Sequence, residues 1–252
     1  MHNSHCIGRQ GILLATRDSI AFPDELFDRL AKLGVGLAGQ SVLDLGTGKG
    51  GFAHVFAERG CEVVAIDRSP DMLSEAEIID SRISWRCATA ENTGEPDGNY
   101  DAVVAGQAWH WFDQRRAAQE ARRVLKPDGL IAIAQMDWVP RAGGPAEATE
   151  EIIQRYNSDW NILFRQSDYM GWSRQLGIAG FGAIQEATFN VEIEVELAVW
   201  RRRIRSSAGV GGVLPRGMAN ALDVDLQTRL AEEFPGPVLR ILHKVFYLVA
   251  SA

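Results

Sequence analysis

Residues 42–52 read VLDLGTGKGGF, an apolar run carrying one carboxylate, Asp44, that passes into four glycines within six positions, Gly46, Gly48, Gly50 and Gly51. Such a run, followed by the helical pattern GFAHVFAERG, is a strand delivering its last residues to a helix start. Glycine leaves main-chain N–H groups uncovered, and a helix start is positive, so the turn suits a ligand that touches backbone. Outward from this turn the chain alternates SVLDL, GFAHVFAERG, CEVVAID, PDMLSEAEII, ISWRCA, YDAVVAG, RRAAQEARRVL and GLIAIAQMDWV, the last reached through the turn signal KPDG. Parallel neighbours cannot be joined by a tight turn, so the alternation predicts a parallel sheet with crossover helices and five strands by residue 139.

Ahead of this core, residues 1–20 show no sustained period, and PDELFDRLAKLG sets Leu26, Leu30 and Leu33 at helical spacing behind Pro23. Beyond it, EATEEIIQRYNSDWNILF and SDYMGWSRQLGIAGF read as a helical insertion rich in Trp and Tyr. FGAIQEATFNVEIEVEL then alternates through Ile184, Val191, Ile193 and Val195, and VFYLVASA closes the chain as an apolar strand. Between these two, AVWRRRIRSSAGVGGVLPRG reads as a helix with a glycine-rich loop and DVDLQTRLAEEF as a second helix. The expected organisation is one α/β domain over 1–252: an N-terminal segment and leading helix (1–40), a ligand-binding core (41–139), a helical insertion (140–182), and C-terminal strands with a helical cap (183–252).

A length of 252 residues with 46% hydrophobic content supports one sizeable core. The net charge of -7, with an isoelectric point near 5.3, gives a field that repels a phosphodiester backbone, so the expected partner is a small molecule and not nucleic acid. Cys6, Cys61 and Cys87 are odd in number and lack CxxC spacing, which argues against a disulfide framework or a zinc cage and fits a reducing cytoplasm. His2, His5, His54 and His243 show no ligand spacing, so no metal is expected. No run reaches the roughly 18 apolar residues needed to span a bilayer, so no membrane partner is expected. The expected assembly is a monomer or homodimer.

Two ligands compete for the glycine turn. Gly46, Gly48 and Gly51 satisfy G-x-G-x-x-G, and Asp67 stands about 20 residues on at the end of the second strand, as a dinucleotide ribose contact requires. A nicotinamide-dependent oxidoreductase is therefore the alternative. A Walker A loop is excluded, because Gly50 follows Lys49 and the preceding glycine spacing is wrong. Asp44 separates the two. A pyrophosphate disfavours a carboxylate beside the turn, whereas S-adenosylmethionine has no phosphate and brings a sulfonium and an ammonium group.

DLGTGKG, VVAIDRSPDML, ATAENTG, YDAVVAGQAWHWFD and RVLKPDGLIAIA, in that order across about residues 23–139, resemble the class I S-adenosylmethionine-dependent methyltransferases. The likeness is to their small-molecule branch of ubiquinone/menaquinone-type and trans-aconitate-type enzymes. WRRRIRSSAGVGG and FPGPVLRILHKVF are similar to the tails of bacterial members. The resemblance implies a doubly wound, mostly parallel, Rossmann-like seven-stranded sheet whose last strand is antiparallel, with the ligand over the carboxyl ends of the strands. It also implies that Asp44, Thr47, Gly46, Gly48 and Gly50 form the floor under the methionine part of S-adenosylmethionine, or of its product S-adenosylhomocysteine. By the same resemblance Asp67 holds the ribose hydroxyls, Arg68 and Met72 lie over the adenine, Ala90 and Glu91 meet its edge, and Gln107 faces the methionine portion. Members of this branch often carry aromatic residues or prolines in the segment that closes over the cofactor; the matching stretch here is GRQGILLATRDSIAFP.

Methyl transfer from a sulfonium is an in-line displacement, so the protein mainly aligns nucleophile, methyl and sulfur and excludes water. An O–H or N–H nucleophile must still lose a proton. His110, in QAWHWF after the fourth strand, stands where a general base belongs; packing between Trp109 and Trp111 is the competing role. Trp109, Trp111, Trp138, Tyr156 and Trp160 are candidate walls of an acceptor pocket or, equally, core. Arg201 or Arg205 of WRRRIR could meet an anionic acceptor or lie on a solvated helix, since consecutive helical residues cannot share a face. A reductase of the Tyr-x-x-x-Lys type is disfavoured, because none of Tyr100, Tyr156, Tyr169 and Tyr247 has a Lys four residues on. A cofactor-binding protein without methyltransferase activity is the remaining alternative.

Overall fold

In the computed structural model, which describes residues 20–160 and 168–252, β1 (Ser41–Leu45) lies between β2 (Glu62–Asp67) and β4 (Tyr100–Gly106) and is parallel to both. A strand paired on both edges and covered on both faces buries both of its rows of side chains, so Val42, Leu43 and Leu45 are fully buried and Asp44 between them is 1% exposed. With β3 (Ser84–Cys87), β5 (Leu125–Trp138), β6 (Gly182–Val195) and β7 (Leu239–Ser251) the sheet has seven strands in the order β3-β2-β1-β4-β5-β7-β6. β7 runs antiparallel to both β5 and β6, while the pairs within β3-β2-β1-β4-β5 are parallel. Each strand expected from the sequence is present.

Two boundaries differ. KPDG sits inside β5 as a bulge, because the partner of Tyr100 is Leu125 and that of Ala102 is Leu130, with Asp128 at φ +64 between them. β7 begins at Leu239, within the stretch that read as a tail, since Leu239, Ile241 and Val245 bury one face before the run becomes continuously apolar.

α1 (Asp24–Lys32) and α2 (Gly51–Glu58) cover one face of the sheet, and Phe27, Phe52 and Phe56 pack edge to face between them. α3 (Pro70–Ile79) is capped by Ser69, whose Oγ accepts from the Met72 N–H, and leads into β3. α4 (Gln114–Val124), capped by Asp113, buries Ala117, Ala118 and Ala121 on the other face.

The expected insertion over 140–182 divides. α5 (Pro145–Tyr156) joins α7 (Leu197–Arg205) and α8 (Arg216–Glu233) in a separate apolar cluster around Trp138 and Trp200. α6 (Trp172–Ile178) instead packs beneath the sheet, with Trp172 and Tyr169 against Phe246, as the crossover into β6. Residues 161–164, NILF of the expected insertion helix, lie outside the described residues, as do Cys6, His2, His5 and the segment GRQGILLATRDS. α5, α7 and α8 stand over the ends of β5 and β6, beside the point where the strand order reverses at β1 and β4. That reversal is where open sheets bind ligands.

Candidate active site

The glycine turn is fastened to the end of β2. Thr47 N donates to Ile66 O at 2.9 Å, Gly48 N donates to Asp67 Oδ2 at 2.9 Å, and Ser69 N donates to Asp67 Oδ1 at 2.9 Å. Each Asp67 oxygen keeps a lone pair for a further donor. Gly46 has φ +66, and an added Cβ would lie 2.8 Å from Ala108 and Phe112, so the turn approaches the β4 exit as only glycine can. Gly50, the N-cap of α2, also has positive φ, and its Cβ would meet Trp85 at 2.6 Å and His54 at 2.7 Å.

Above this turn lies a crevice of about 430 Å3, within the usual range for small-molecule sites. Gly46 and Gly48 form its floor, Asp67, Arg68 and Met72 one wall, Ala90 and Glu91 another, and Gln107 the side toward β4. Ser69, Ala88, Thr89, Ala108 and Phe112 complete it without having been singled out in the sequence. Glu91 also accepts from Asp113 N at 2.8 Å, tying the post-β3 loop to the start of α4.

Asp44, Thr47 and Gly50 do not line the crevice. Asp44 is 1% exposed and its Oδ2 accepts from Thr47 Oγ1 at 2.6 Å, so its carboxyl braces the turn from beneath. Burial pushes that carboxyl up to about 7, and the nearby Asp67 charge acts in the same direction against the Thr47 hydrogen bond.

A second chamber of about 170 Å3 adjoins the crevice and shares Gln107 and Trp111 with it. His110, Trp138 and Trp160 line it. Glu150 fixes two of these walls: Oε1 accepts from Trp138 Nε1 at 2.6 Å and Oε2 from Trp160 Nε1 at 2.8 Å, inside a buried pocket that raises the carboxyl above its ordinary range. The glycine-rich loop closes against Trp160, since a Cβ on Gly209 would lie 2.7 Å from that ring.

Four candidate acceptor residues lie elsewhere. Trp109 and Trp111 are two residues apart in a 3-10 turn of three residues per turn, so they face different ways; Trp109 is 0% exposed in the core and Trp111 is 66% exposed at the crevice mouth. Tyr156 donates its hydroxyl to Asp225 Oδ2 at 2.8 Å, joining α5 to α8. Arg201 and Arg205, one helical turn apart, both reach Asp223 of α8, at 2.6 and 3.3 Å. Arg203, on the other side of α7, is the arginine that lines the chamber, and its guanidinium stands 5.8 Å from the Trp138 ring. Gln135 and Asp137 also line it. Their signal was in the sequence: two polar residues at alternate positions of the otherwise apolar IAIAQMDWV. Among the described residues no cluster of His, Cys, Asp and Glu could hold a metal ion, and no helix is long and apolar enough to cross a membrane.

This sheet order, its lone antiparallel strand and a glycine-floored crevice at the strand-order reversal define the class I methyltransferase fold. Residues 43–133 match the family model described as methyltransferase domain, which favours the methyltransferase reading of the glycine turn over the oxidoreductase one. The chain is similar to an uncharacterised methyltransferase of Mycobacterium tuberculosis, 36% identical over 129 residues, covering 49% of this chain and 51% of that one. It is also similar to a ubiquinone biosynthesis O-methyltransferase of Pseudomonas aeruginosa, 30% identical over 155 residues, covering 57% of this chain and 66% of the relative. The chain thus spans about half the length of the first of these curated relatives. Among solved structures, the YcgJ protein of Bacillus subtilis shares the fold with a TM-score of 0.58 at 18% identity, over 91% of this chain and 98% of that one.

Proposed function

We propose that this chain transfers a methyl group from S-adenosylmethionine to a small-molecule acceptor held in the tryptophan-walled chamber. One observation carries the proposal: the glycine-floored crevice meets the chamber at Gln107 and Trp111. The crevice suits the cofactor. Its floor is bare backbone, its carboxylates Asp67 and Glu91 suit hydroxyls and an amine, its alanines and Met72 suit an adenine face, and Arg68 is the lone cation among its lining residues. A diphosphate would find little there to neutralise it.

Gly46 and Gly48 would hold the methionine portion, Asp67 the ribose hydroxyls, Arg68 and Met72 the adenine face, Ala90 and Glu91 its edge, and Gln107 the side nearest the acceptor. Asp44, Thr47 and Gly50 act through the turn. When bound, S-adenosylmethionine supplies a methyl group on a sulfonium. Trp111, Trp138 and Trp160 enclose the acceptor and exclude water, and His110 takes the proton of an O–H or N–H nucleophile; a carboxylate acceptor needs no base.

The acidic net charge of -7 favours a small molecule over nucleic acid. The free thiols of Cys61 and Cys87 support a cytoplasmic setting. We treat the chain as one domain in which α5, α7 and α8 build the acceptor cap.

Calorimetry with S-adenosylhomocysteine and NAD tests the cofactor. Asp67→Ala is expected to weaken S-adenosylhomocysteine binding by about 1–3 kcal/mol, through lost charge-assisted hydrogen bonds. Unchanged affinity in a folded variant rejects the ribose contact, and preferential NAD binding rejects the function.

A further inference from the structure

Gln135 is 6% exposed, lines the second chamber, and its Oε1 has no hydrogen-bond partner among the described residues. The orientation of that amide is fixed by a chain of contacts that begins at a backbone carbonyl. Met136 O can only accept, so the Gln107 atom 2.8 Å away is Nε2. Gln107 Oε1 therefore faces Gln135, and the Gln135 atom 2.9 Å from it must be the donating Nε2. The same Nε2 lies 3.4 Å from Asp137 Oδ1, a second acceptor. Flipping the Gln135 amide would set oxygen against oxygen at both contacts. Among the described residues nothing donates to this buried Oε1, a committed acceptor in a protein interior where an unsatisfied carbonyl is costly.

We propose that Gln135 Oε1 receives a hydrogen bond from the methyl acceptor, which is thereby a small planar molecule bearing a hydroxyl or N–H donor. This rests on the reading of the chamber as the acceptor site and narrows it. The preference for a planar molecule comes from the walls, where a flat guest has aromatic surface to pack on: Trp138 and Trp160 lie 29° from parallel with centroids 6.5 Å apart, each held at Nε1 by Glu150. The size limit comes from the volume of about 170 Å3, below that of drug-sized pockets. Gln107 borders both spaces, so the relay from Met136 through Gln107 to Gln135 fixes the donor-recognising oxygen relative to the cofactor crevice. Gln135 acts here as a specificity residue.

The test uses full-length protein saturated with S-adenosylhomocysteine, with quenching of the chamber tryptophans as readout and phenol, toluene and anisole as probes. Phenol is expected to bind about tenfold more tightly than toluene or anisole, a difference of about 1.4 kcal/mol. Gln135→Met, which keeps the volume and removes the acceptor, is expected to bring the three within about twofold of one another, as loss of one hydrogen bond predicts. Equal binding of the three by the wild-type protein overturns the proposal, with water or the cofactor itself as the donor to Oε1; so does absence of phenol binding, and so does a phenol preference retained in Gln135→Met. The wild-type comparison stands even where the variant does not fold. Calorimetry on the same sample separates the two levels: failure to bind S-adenosylhomocysteine removes the methyltransferase function together with this proposal, whereas normal binding with equal probe affinities removes only the role of Gln135.

Discussion

Asp44→Asn is expected to raise the melting temperature at about pH 8 and to lose most of that advantage by about pH 4. The folded chain holds the Asp44 proton up to about 7, because burial penalises the anion, whereas the unfolded chain releases it near 3.8. Between these values the unfolded state binds fewer protons, so stability falls as pH rises from about 4 to about 7 and is level beyond, by on the order of 4 kcal/mol for this group alone. Asparagine keeps an oxygen for the Thr47 hydroxyl and carries no charge, so it resembles the protonated acid at every pH. Parallel melting curves for the two proteins across this range would show that Asp44 is not the buried, ionising group described here. A positive charge in the crevice above the turn favours the Asp44 anion, so binding of S-adenosylmethionine near neutral pH is further expected to release protons, measurable by calorimetry in buffers of different ionisation enthalpy.

His110→Ala is expected to lower kcat on a hydroxyl or amine acceptor by about 10²–10⁴-fold, the usual contribution of a positioned general base. His110 lines the second chamber and is absent from the crevice wall, so S-adenosylhomocysteine affinity should stay within about twofold, a change too small to signal a lost hydrogen bond. A kcat within threefold of wild type would assign His110 to packing beside Trp111, whose ring lies 5.0 Å away.

Much of the crevice was legible because its residues sit at the ends of consecutive strands, a few positions past recognisable apolar runs. Gly46 and Gly48 follow β1, Asp67 closes β2, Ala90 and Glu91 follow β3 and Gln107 follows β4; once the strands are found, parallel pairing brings these ends to one edge of the sheet. Asp44 was legible as an anomaly. Its alternation parity did not tell a ligand-facing carboxylate from one turned under the loop, a distinction made by the Thr47 hydroxyl.

The second chamber was only partly legible. Trp111, His110, Trp138 and Trp160 were candidates by residue type, but Trp109 and Tyr156 had the same credentials and went to the core and to Asp225. In WRRRIR the helical period allowed one arginine at a time to face a site, and which one depended on where α8 carried Asp223.

The sequence by itself determined the order of strands and helices, the glycine turn and the acidic residue at the end of β2, because those follow from short-range periodicity and from conformations that glycine adopts cheaply. Tertiary structure alone decided which of the tryptophans and arginines surround a cavity and which amide oxygens lack a donor among the described residues. Those outcomes depend on helices α5, α7 and α8 meeting the ends of β5 and β6 across long stretches of chain, where packing and hydrogen-bond satisfaction among distant residues, and not local pattern, select the arrangement.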